Sequence, residues 1–332
     1  MLNKFTKNNM KYFLIDNQNI KFPYLKILRK KIVEFIKSIK SYDCKISSYT
    51  IPHNKLVKLL SGHWVDIDAI NHTYNLTSNY VISWTFDNIV HNITIKCTNE
   101  KWLKINNKKR LYLLINIINF IYSISETRNP INIYLILTLL TKNINNNETI
   151  SPKHINSGYS DINKKIIVIW REEEFEKVIF HELHHIMKLD HSNITYNVNI
   201  PFKIKGILRY FEALTDYYAI LYNTIYISLY TNKSIDKIFN IEYNFMKNQA
   251  NVMNNFLNLN NWNNNNIVIK QNSSAFEYYI VKYIIFKNII EENNSSIITE
   301  PHILINKILQ NGFEPEKYIY LNSMRMTLFE LD

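Results

Sequence analysis

The stretch that decides the fold is IIVIWREEEFEKVIFHELHHIMK, residues 166–188. Its first part, Ile166–Trp170, is short, rich in β-branched residues and flanked by charge, which predicts a strand. The acidic residues 172–174 then favour the amino terminus of a helix. The helix continues with an apolar stripe at helical spacing, formed by Phe175, Ile179, Leu183 and Ile186. We therefore expect a strand followed by an amphipathic helix that extends to about Lys188.

This helix contains an H-E-x-x-H motif at residues 181–185. Positions four apart lie on one face of a helix, so His181 and His185 can present two imidazole nitrogens to a single Zn²⁺. Glu182 stands beside them, where it can hold and activate a zinc-bound water as general base. His184 points nearly opposite the apolar stripe, so we expect it either to face solvent or to support a ligating residue, and not to bind the metal itself.

A pair of carboxylates follows in the segment YFEALTDYYA, residues 210–219, which is also predicted to be helical. An acidic pair four apart, here Glu212 and Asp216, is unfavourable among aromatic and apolar neighbours unless a cation or a donor compensates it. Two roles would explain why both carboxylates are present. Glu212 would be the third zinc ligand, and Asp216 would accept a hydrogen bond from the second ring N–H of a ligating histidine. The alternatives are an exposed acidic pair or a bridge to Lys or Arg.

His191 is the alternative third ligand, because it lies six residues after His185, where the pattern H-E-x-x-H-x-x-G-x-x-H places its last histidine. Lys188 occupies the position of that pattern's glycine. The glycine permits a left-handed turn that ends the helix, and a lysine in that conformation costs about 1 kcal/mol or more. We therefore favour Glu212 over His191.

Taken together, H-E-x-x-H followed by E-x-x-x-D on the next helix resembles the gluzincin clan of zinc metallopeptidases. The Asn-Ser-Gly segment at 156–158, the strand and the motif helix are also similar to uncharacterised peptidase-like proteins of giant DNA viruses. The resemblance covers residues 156–218. It implies one Zn²⁺ per chain bound by His181, His185 and Glu212, with Glu182 as general base and Asp216 supporting a ligand.

Peptide hydrolysis also requires a donor to the developing oxyanion, and clan members commonly use a Tyr or His from the carboxy-terminal half. Ser274 and Glu277 read as an S-x-x-E capping box. This box would place Tyr278 and Tyr279 in the first turns of a helix, and either one is a candidate for that donor.

The strand that contains Ile166, Val168 and Trp170 is the candidate for substrate binding. We predict that it is an edge strand and that it pairs with an extended peptide by edge addition. Such pairing would hold the scissile carbonyl over the zinc ion.

Composition excludes several other classes of protein. The 332 residues include only four glycines, which are scattered singly, so glycine-rich nucleotide loops are not expected. The two cysteines form no C-x-x-C pair, which favours a reducing, cytoplasmic setting, either the host cytoplasm or a virion. No signal peptide and no membrane span are predicted. The formal charge of +11 reflects the lysine usage of an AT-rich genome, so it is weak support for nucleic acid as a partner.

Further elements predict the organisation of the chain. A helix is predicted at Pro23–Lys40, a hairpin at residues 80–97, a helix at Lys101–Ser125 and a strand at Ile131–Leu139. More helices are predicted by the segments Phe202–Tyr230, Ser234–Asn258, Ser274–Glu292 and Pro301–Gln310. We expect an α+β, zincin-like fold with a small sheet, an active-site helix and a mostly helical carboxy-terminal part.

One compact unit is expected, and if there are two domains the polar run Thr141–Thr149 is the place to divide them. The division would give an amino-terminal α+β segment, residues 1–140, and a zincin-like catalytic domain, residues 150–332.

The sequence supports two functions from different classes. The first is a zinc-dependent metallopeptidase that acts on protein or peptide substrates. The second is a catalytically inactive zincin-fold binding or virion structural protein, whose basic surface holds nucleic acid or an acidic partner. Zinc-dependent hydrolysis of a non-peptide amide is a third possibility.

Overall fold

A computed structural model describes most of the chain, namely residues 1–14, 20–39, 44–98, 105–144, 149–196, 198, 200–259, 262, 266–292, 301–321 and 323–331. The chain forms two compact units, each made from more than one segment. The sheet unit comprises Arg29–Thr141 and Asn156–Leu189. The helical unit comprises Met1–Leu28, Lys142–Ile155 and Asp190–Asp332.

The fold is mixed, with α-helices and a small sheet, as the sequence predicts. In chain order, the α-helices of the described residues are α1 (Lys4–Asn9), α2 (Pro23–Ser38), α3 (His53–Leu60), α4 (Ala69–His72), α5 (Ile105–Ser123), α6 (Pro152–Ile155), α7 (Phe175–Ile186), α8 (Tyr210–Thr231), α9 (Ile235–Phe256), α10 (Lys282–Glu291) and α11 (Pro301–Asn311). The strands are β1 (Cys44–Ser48), β2 (Ser78–Phe86), β3 (Ile89–Cys97), β4 (Asn132–Thr138), β5 (Gly158–Asp161), β6 (Ile166–Arg171), β7 (Lys203–Gly206) and β8 (Val268–Gln271).

The sheet unit contains a six-stranded sheet in the order β1-β2-β3-β4-β6-β5. The predicted hairpin is confirmed: β2 and β3 are joined at Asp87 and Asn88, which both have positive φ, as a two-residue type I′ turn requires. Parallel pairing joins β3 to β4 and β4 to β6. Because β4 and β6 are neighbours in one sheet, residues on both sides of the polar run 141–149 belong to the same unit. Residues 101–104 of the predicted helix and 145–148 of the run lie outside the described residues.

The prediction that β6 is an edge strand is wrong. β6 lies between β4 and β5. Of the residues predicted to bind substrate, Ile166 and Val168 pair with both neighbouring strands, and the Trp170 N–H bonds the Ser157 carbonyl oxygen. The edge beside it is β5, which pairs with β6 in antiparallel fashion. The sequence pattern of β6 could not reveal this, because β-branched residues are equally suited to central and edge strands.

Both faces of β6 are covered. On one face, Val168 and Trp170 pack in a core cluster with the leucines of α3. The opposite face meets α7, where a Cβ added to Gly158 would lie 2.7 Å from Val178 and 3.2 Å from Ile169. Glycine at 158 therefore allows β5 to pass close to the helix that carries the H-E-x-x-H motif.

The helical unit departs from the sequence prediction at its start. The segment predicted as one helix from Phe202 to Tyr230 begins with β7, and α8 starts only at Tyr210. β7 pairs in parallel with β8, and Gly206 has a φ of 114°, with its missing Cβ 1.9 Å from the Gln271 carbonyl oxygen. The strand forms because of a partner distant in sequence, which a local helical pattern does not show.

The carboxy-terminal segment is held by polar side chains of α9. Asn248 accepts a hydrogen bond from the Ile319 N–H at 2.7 Å and donates to the carbonyl oxygen of the same residue at 3.0 Å. Gln249 donates to the carbonyl oxygens of Ser323 and Arg325. These bonds recognise backbone rather than side chains, and they satisfy one N–H group and three carbonyl oxygens of the carboxy-terminal segment.

No helix within the described ranges is long and apolar enough to cross a membrane.

A buried carboxylate on α9 predicts how stability depends on pH. Burial raises the pKa of Glu242 to about 7, while hydrogen bonds from the 327–329 segment and the charge of Lys282 act in the opposite direction. An unfolded glutamate titrates near pH 4.3, so from about pH 4.5 to 7 the folded state keeps a proton that the unfolded state has lost. Folding stability from this group therefore falls as the pH rises through that window. In Glu242→Gln the difference in unfolding free energy between pH 5 and pH 8 should shrink by about 3 kcal/mol, measured by urea denaturation. Identical pH profiles for the variant and the wild type would contradict this assignment.

Candidate metal centre

The two histidines of the motif meet on α7. The Nε2 atoms of His181 and His185 are 3.1 Å apart, with His181 buried and His185 half-buried. Two nitrogens bound to one tetrahedral Zn²⁺ at 2.0–2.1 Å would lie about 3.3 Å apart. The spacing of the pair therefore fits shared coordination of one ion, as the helical periodicity predicts.

Glu182 is the next residue and is also buried. Its charge is felt by Tyr159 of β5, whose pKa is raised to about 12 by burial first, with smaller contributions from Asp161 and Glu182. Glu182 lies one helical turn after Val178, the residue that meets Gly158 of β5, so it is on the side of α7 that approaches β5. This places an acid or base group near the edge strand of the sheet.

α7 is anchored to the rest of the sheet unit by an ion pair and by burial. Arg110 of α5 forms a buried ion pair with Glu176, with its Nε 2.7 Å from Oε1 of the glutamate. His184 is buried and its Nδ1 lies 2.8 Å from the carbonyl oxygen of Phe180, so the prediction that it faces solvent is wrong. His184 is buried because nearly every residue of α7 is buried, including the charged residues Glu176 and Lys177.

The conformation at the carboxyl end of α7 contradicts the sequence-based argument against His191, which was the cost of a left-handed conformation at Lys188. Lys188 has a φ of 56° and adopts the left-handed conformation that the sequence analysis considered costly for lysine. The Lys188 N–H donates to the His185 carbonyl oxygen, and the Leu189 N–H donates to the His184 carbonyl oxygen. This pair of hydrogen bonds is a Schellman motif. These two bonds satisfy helix-terminal carbonyls and offset the cost of the conformation.

His191 lies just beyond this turn, in the helical unit, and it too has a positive φ. It is half-buried, and burial lowers its pKa although the charge of Asp190 acts to raise it. His191 is not a member of the metal-capable group found among the described residues. The preference for Glu212 thus has support that does not depend on Lys188.

Glu212 and Asp216 are both buried on α8, with 6% and 0% of their surfaces exposed, which rules out an exposed acidic pair. Glu212 accepts a hydrogen bond from the Tyr278 hydroxyl at 3.0 Å. Asp216 accepts one from the Lys282 Nζ at 2.7 Å, and the lysine is itself buried. The alternative of a bridge to lysine therefore applies to Asp216. The predicted bond from Asp216 to a ligating histidine stays a prediction.

The two candidate tyrosines have different surroundings. Tyr278 is half-buried and its hydroxyl reaches Glu212, whereas Tyr279 is buried and its hydroxyl donates to the Met324 carbonyl oxygen in the core. The helix here is a π-helix, Phe276–Val281, that leads into α10. The predicted capping box is wrong, because the cap position of the π-helix is Ala275 and the Glu277 carboxylate bonds the N–H of Arg209.

Among the described residues, His181, His185 and Glu212 each offer one ligand atom that could bind a metal ion. Sequence reasoning identified all three. It missed Lys282, although a single lysine inside the apolar run IVKYIIF, residues 280–286, is a signal for a buried acidic partner.

Comparisons of the chain with models of protein families, with curated proteins and with solved structures find no match. The site is therefore interpreted from its own residues.

The Lys282–Asp216 pair yields a stability prediction. Lys282→Met should lower the free energy of unfolding by about 3 to 5 kcal/mol, because it leaves the Asp216 carboxylate buried without its cation. The double variant Lys282→Met/Asp216→Leu should recover most of this loss. Urea denaturation of the two variants and the wild type measures both effects. Equal losses in the single and double variants would show that the ion pair is not the cause.

Proposed function

We propose that the protein is a zinc-dependent metallopeptidase of zincin-like fold, with His181, His185 and Glu212 as the metal ligands. The observation that carries the proposal is the pair of imidazole nitrogens 3.1 Å apart on α7. Two histidines and one glutamate are the ligand set of a common class of catalytic zinc sites. When bound, the ion would polarise the scissile carbonyl group and lower the pKa of a water molecule.

Glu182 is the proposed general base. It follows the first histidine directly, its side chain is buried, and it lies on the side of α7 near β5. In the proposed reaction its carboxylate accepts a proton from the attacking water and then passes it to the leaving amine.

Tyr278 is the proposed oxyanion donor, in preference to Tyr279. Its hydroxyl already contacts the carboxylate of Glu212, whereas the hydroxyl of Tyr279 is engaged with backbone in the core. Rotation of the Tyr278 side chain away from Glu212 would release its hydroxyl for a substrate oxygen.

The substrate would pair with the outer edge of β5 instead of with β6. The Trp170 N–H bonds the Ser157 carbonyl oxygen, and bonded and non-bonded pairs alternate along an antiparallel ladder. The N–H groups of Gly158 and Ser160 therefore point away from β6. An extended peptide can accept hydrogen bonds from these groups by strand addition.

The first measurement is the zinc content of the purified protein by elemental mass spectrometry. We expect about one ion per chain, lost in His185→Ala and Glu212→Ala and retained in His191→Ala. Loss in His191→Ala but not in Glu212→Ala would assign the third ligand to His191. If zinc is absent even after reconstitution, the second function becomes the better one. That function is a catalytically inactive binding protein, which a salt-dependent mobility shift of nucleic-acid fragments would support.

Glu182→Gln separates metal binding from catalysis. The variant should keep its zinc, because Glu182 is not a ligand, and lose at least about 100-fold in turnover of a casein-derived peptide mixture. Zinc content and peptide release, followed by mass spectrometry, are measured on the same sample. Undiminished hydrolysis by the variant would remove Glu182 from the role of base.

Replacing Ser160 tests the edge of β5. Ser160→Pro removes one outward N–H but no bond to β6, so it should raise KM for extended peptides about tenfold or more, with zinc content unchanged. Ser160→Ala is the matched control, because it alters the side chain and keeps the N–H. Equal KM values for the two variants would exclude pairing at this edge.

A further inference from the structure

Glu277 is a buried carboxylate to which the proposed reaction gives no role. It lies in the π-helix with none of its surface exposed, and it is not part of the metal-capable group. Burial raises the pKa of Glu277 to about 7. A side chain this costly to bury calls for a reason beyond filling space, because glutamine or methionine would occupy a similar volume.

The contacts of Glu277 lead to the start of α8. One carboxylate oxygen, Oε1, accepts a hydrogen bond from the backbone N–H of Arg209 at 2.5 Å. The other oxygen, Oε2, accepts one from the side-chain amide of Gln271 at 2.9 Å. Arg209 is the residue that precedes the first turn of α8, and its own side chain makes no cap. A carboxylate from another element thus bonds the backbone where the helix begins.

Gln271 extends this connection along the loop that leads into α8. Its amide nitrogen also donates to the Ile207 carbonyl oxygen at 2.7 Å, and its side-chain oxygen accepts from the Phe276 N–H at 2.9 Å. The backbone oxygen of Gln271 accepts from the Ile207 N–H. The loop 207–209 and the π-helix are therefore joined by one set of hydrogen bonds, which we call the Glu277–Gln271 clamp.

The clamp acts on the proposed third ligand through one turn of helix. Glu212 is the third residue of α8, and its N–H bonds the Arg209 carbonyl oxygen at 3.0 Å. Tyr278, the neighbour of Glu277, donates to the carboxylate of Glu212. Consecutive residues of the π-helix thus hold both the backbone and the side chain of the same turn. Single-turn π-helices are frequent at functional sites.

We propose that Glu277, together with Gln271, is a positioning residue that fixes the first turn of α8 and so orients the Glu212 carboxylate for metal binding. This inference rests on the proposed function, because it takes Glu212 as a ligand. Glu277 itself touches neither metal nor substrate. Groups that orient metal ligands typically change metal affinity by about 10- to 100-fold when they are replaced.

The test compares zinc affinity across variants by competition with a chelator of known affinity. Glu277→Met removes both acceptors at similar volume and should weaken zinc binding by at least about tenfold. Glu277→Gln keeps one acceptor and should fall between that variant and the wild type. Glu330→Met is the matched control, since Glu330 is also a buried carboxylate of the helical unit but bonds Asn3 and Arg325. The control should bind zinc as the wild type does.

Hydrogen exchange of the metal-free protein supplies a second readout. In Glu277→Met the amides of residues 209–212 should exchange faster than in the wild type, whereas Glu330→Met should leave them unchanged. If Glu277→Met does not fold, Gln271→Met removes the other half of the clamp, and the same two effects are expected in a weaker form.

The outcomes separate the two proposals. If the wild type binds zinc and Glu212→Ala does not, but Glu277→Met matches the wild type in affinity and exchange, the positioning role is overturned and the proposed function stands. If the wild type itself binds no zinc, the proposed function fails. In that case, if the amides of residues 209–212 exchange at the same rate in Glu277→Met as in the wild type, the clamp does not constrain the start of α8 either.

Discussion

Buried carboxylates are the constraint on which the helical unit depends. Glu212, Asp216, Glu242 and Glu277 are all nearly inaccessible to water, and each must find donors or a cation inside the protein. Their partners come from a different helix, strand or loop in every case, so compensating the carboxylates also joins α8, α9, the π-helix and the carboxy-terminal segment. Because each buried carboxylate must be paired, the positions of its partners also specify how the elements of the helical unit pack together.

The sheet unit meets a different requirement, which is to hold one helix at a fixed place. α7 is packed on β5 and β6, joined to α5 by the Arg110–Glu176 ion pair and closed by a Schellman motif at Lys188. This support fixes the backbone from which the two imidazoles project. Preorganised ligands lower the cost of metal binding, because their side-chain entropy has been lost on folding.

The local signals of the sequence identified most elements. The hairpin, β4, β6, α7 and α9 all lie close to their predicted positions, since each has a clear period and recognisable ends. Two of the errors share one cause. The helix predicted where β7 lies and the capping box predicted at Ser274 and Glu277 are both overruled by partners distant in sequence. The third error, the prediction that β6 is an edge strand, has a local cause, because the short strand β5 that covers this edge directly precedes β6 in the chain.

The sequence by itself determined the residue types of the candidate site and the pairing of His181 with His185, because a spacing of four on a helix fixes which side chains are neighbours. The burial of Glu212, the bond from Tyr278 to it and the engagement of Tyr279 with the core were decided only by tertiary structure. The same is true of the Lys282–Asp216 pair and of the Glu277–Gln271 clamp. The contacts of Glu212, Asp216 and Glu277 with partners on another element join residues 66 to 68 positions apart, and no local sequence period encodes contacts over that distance.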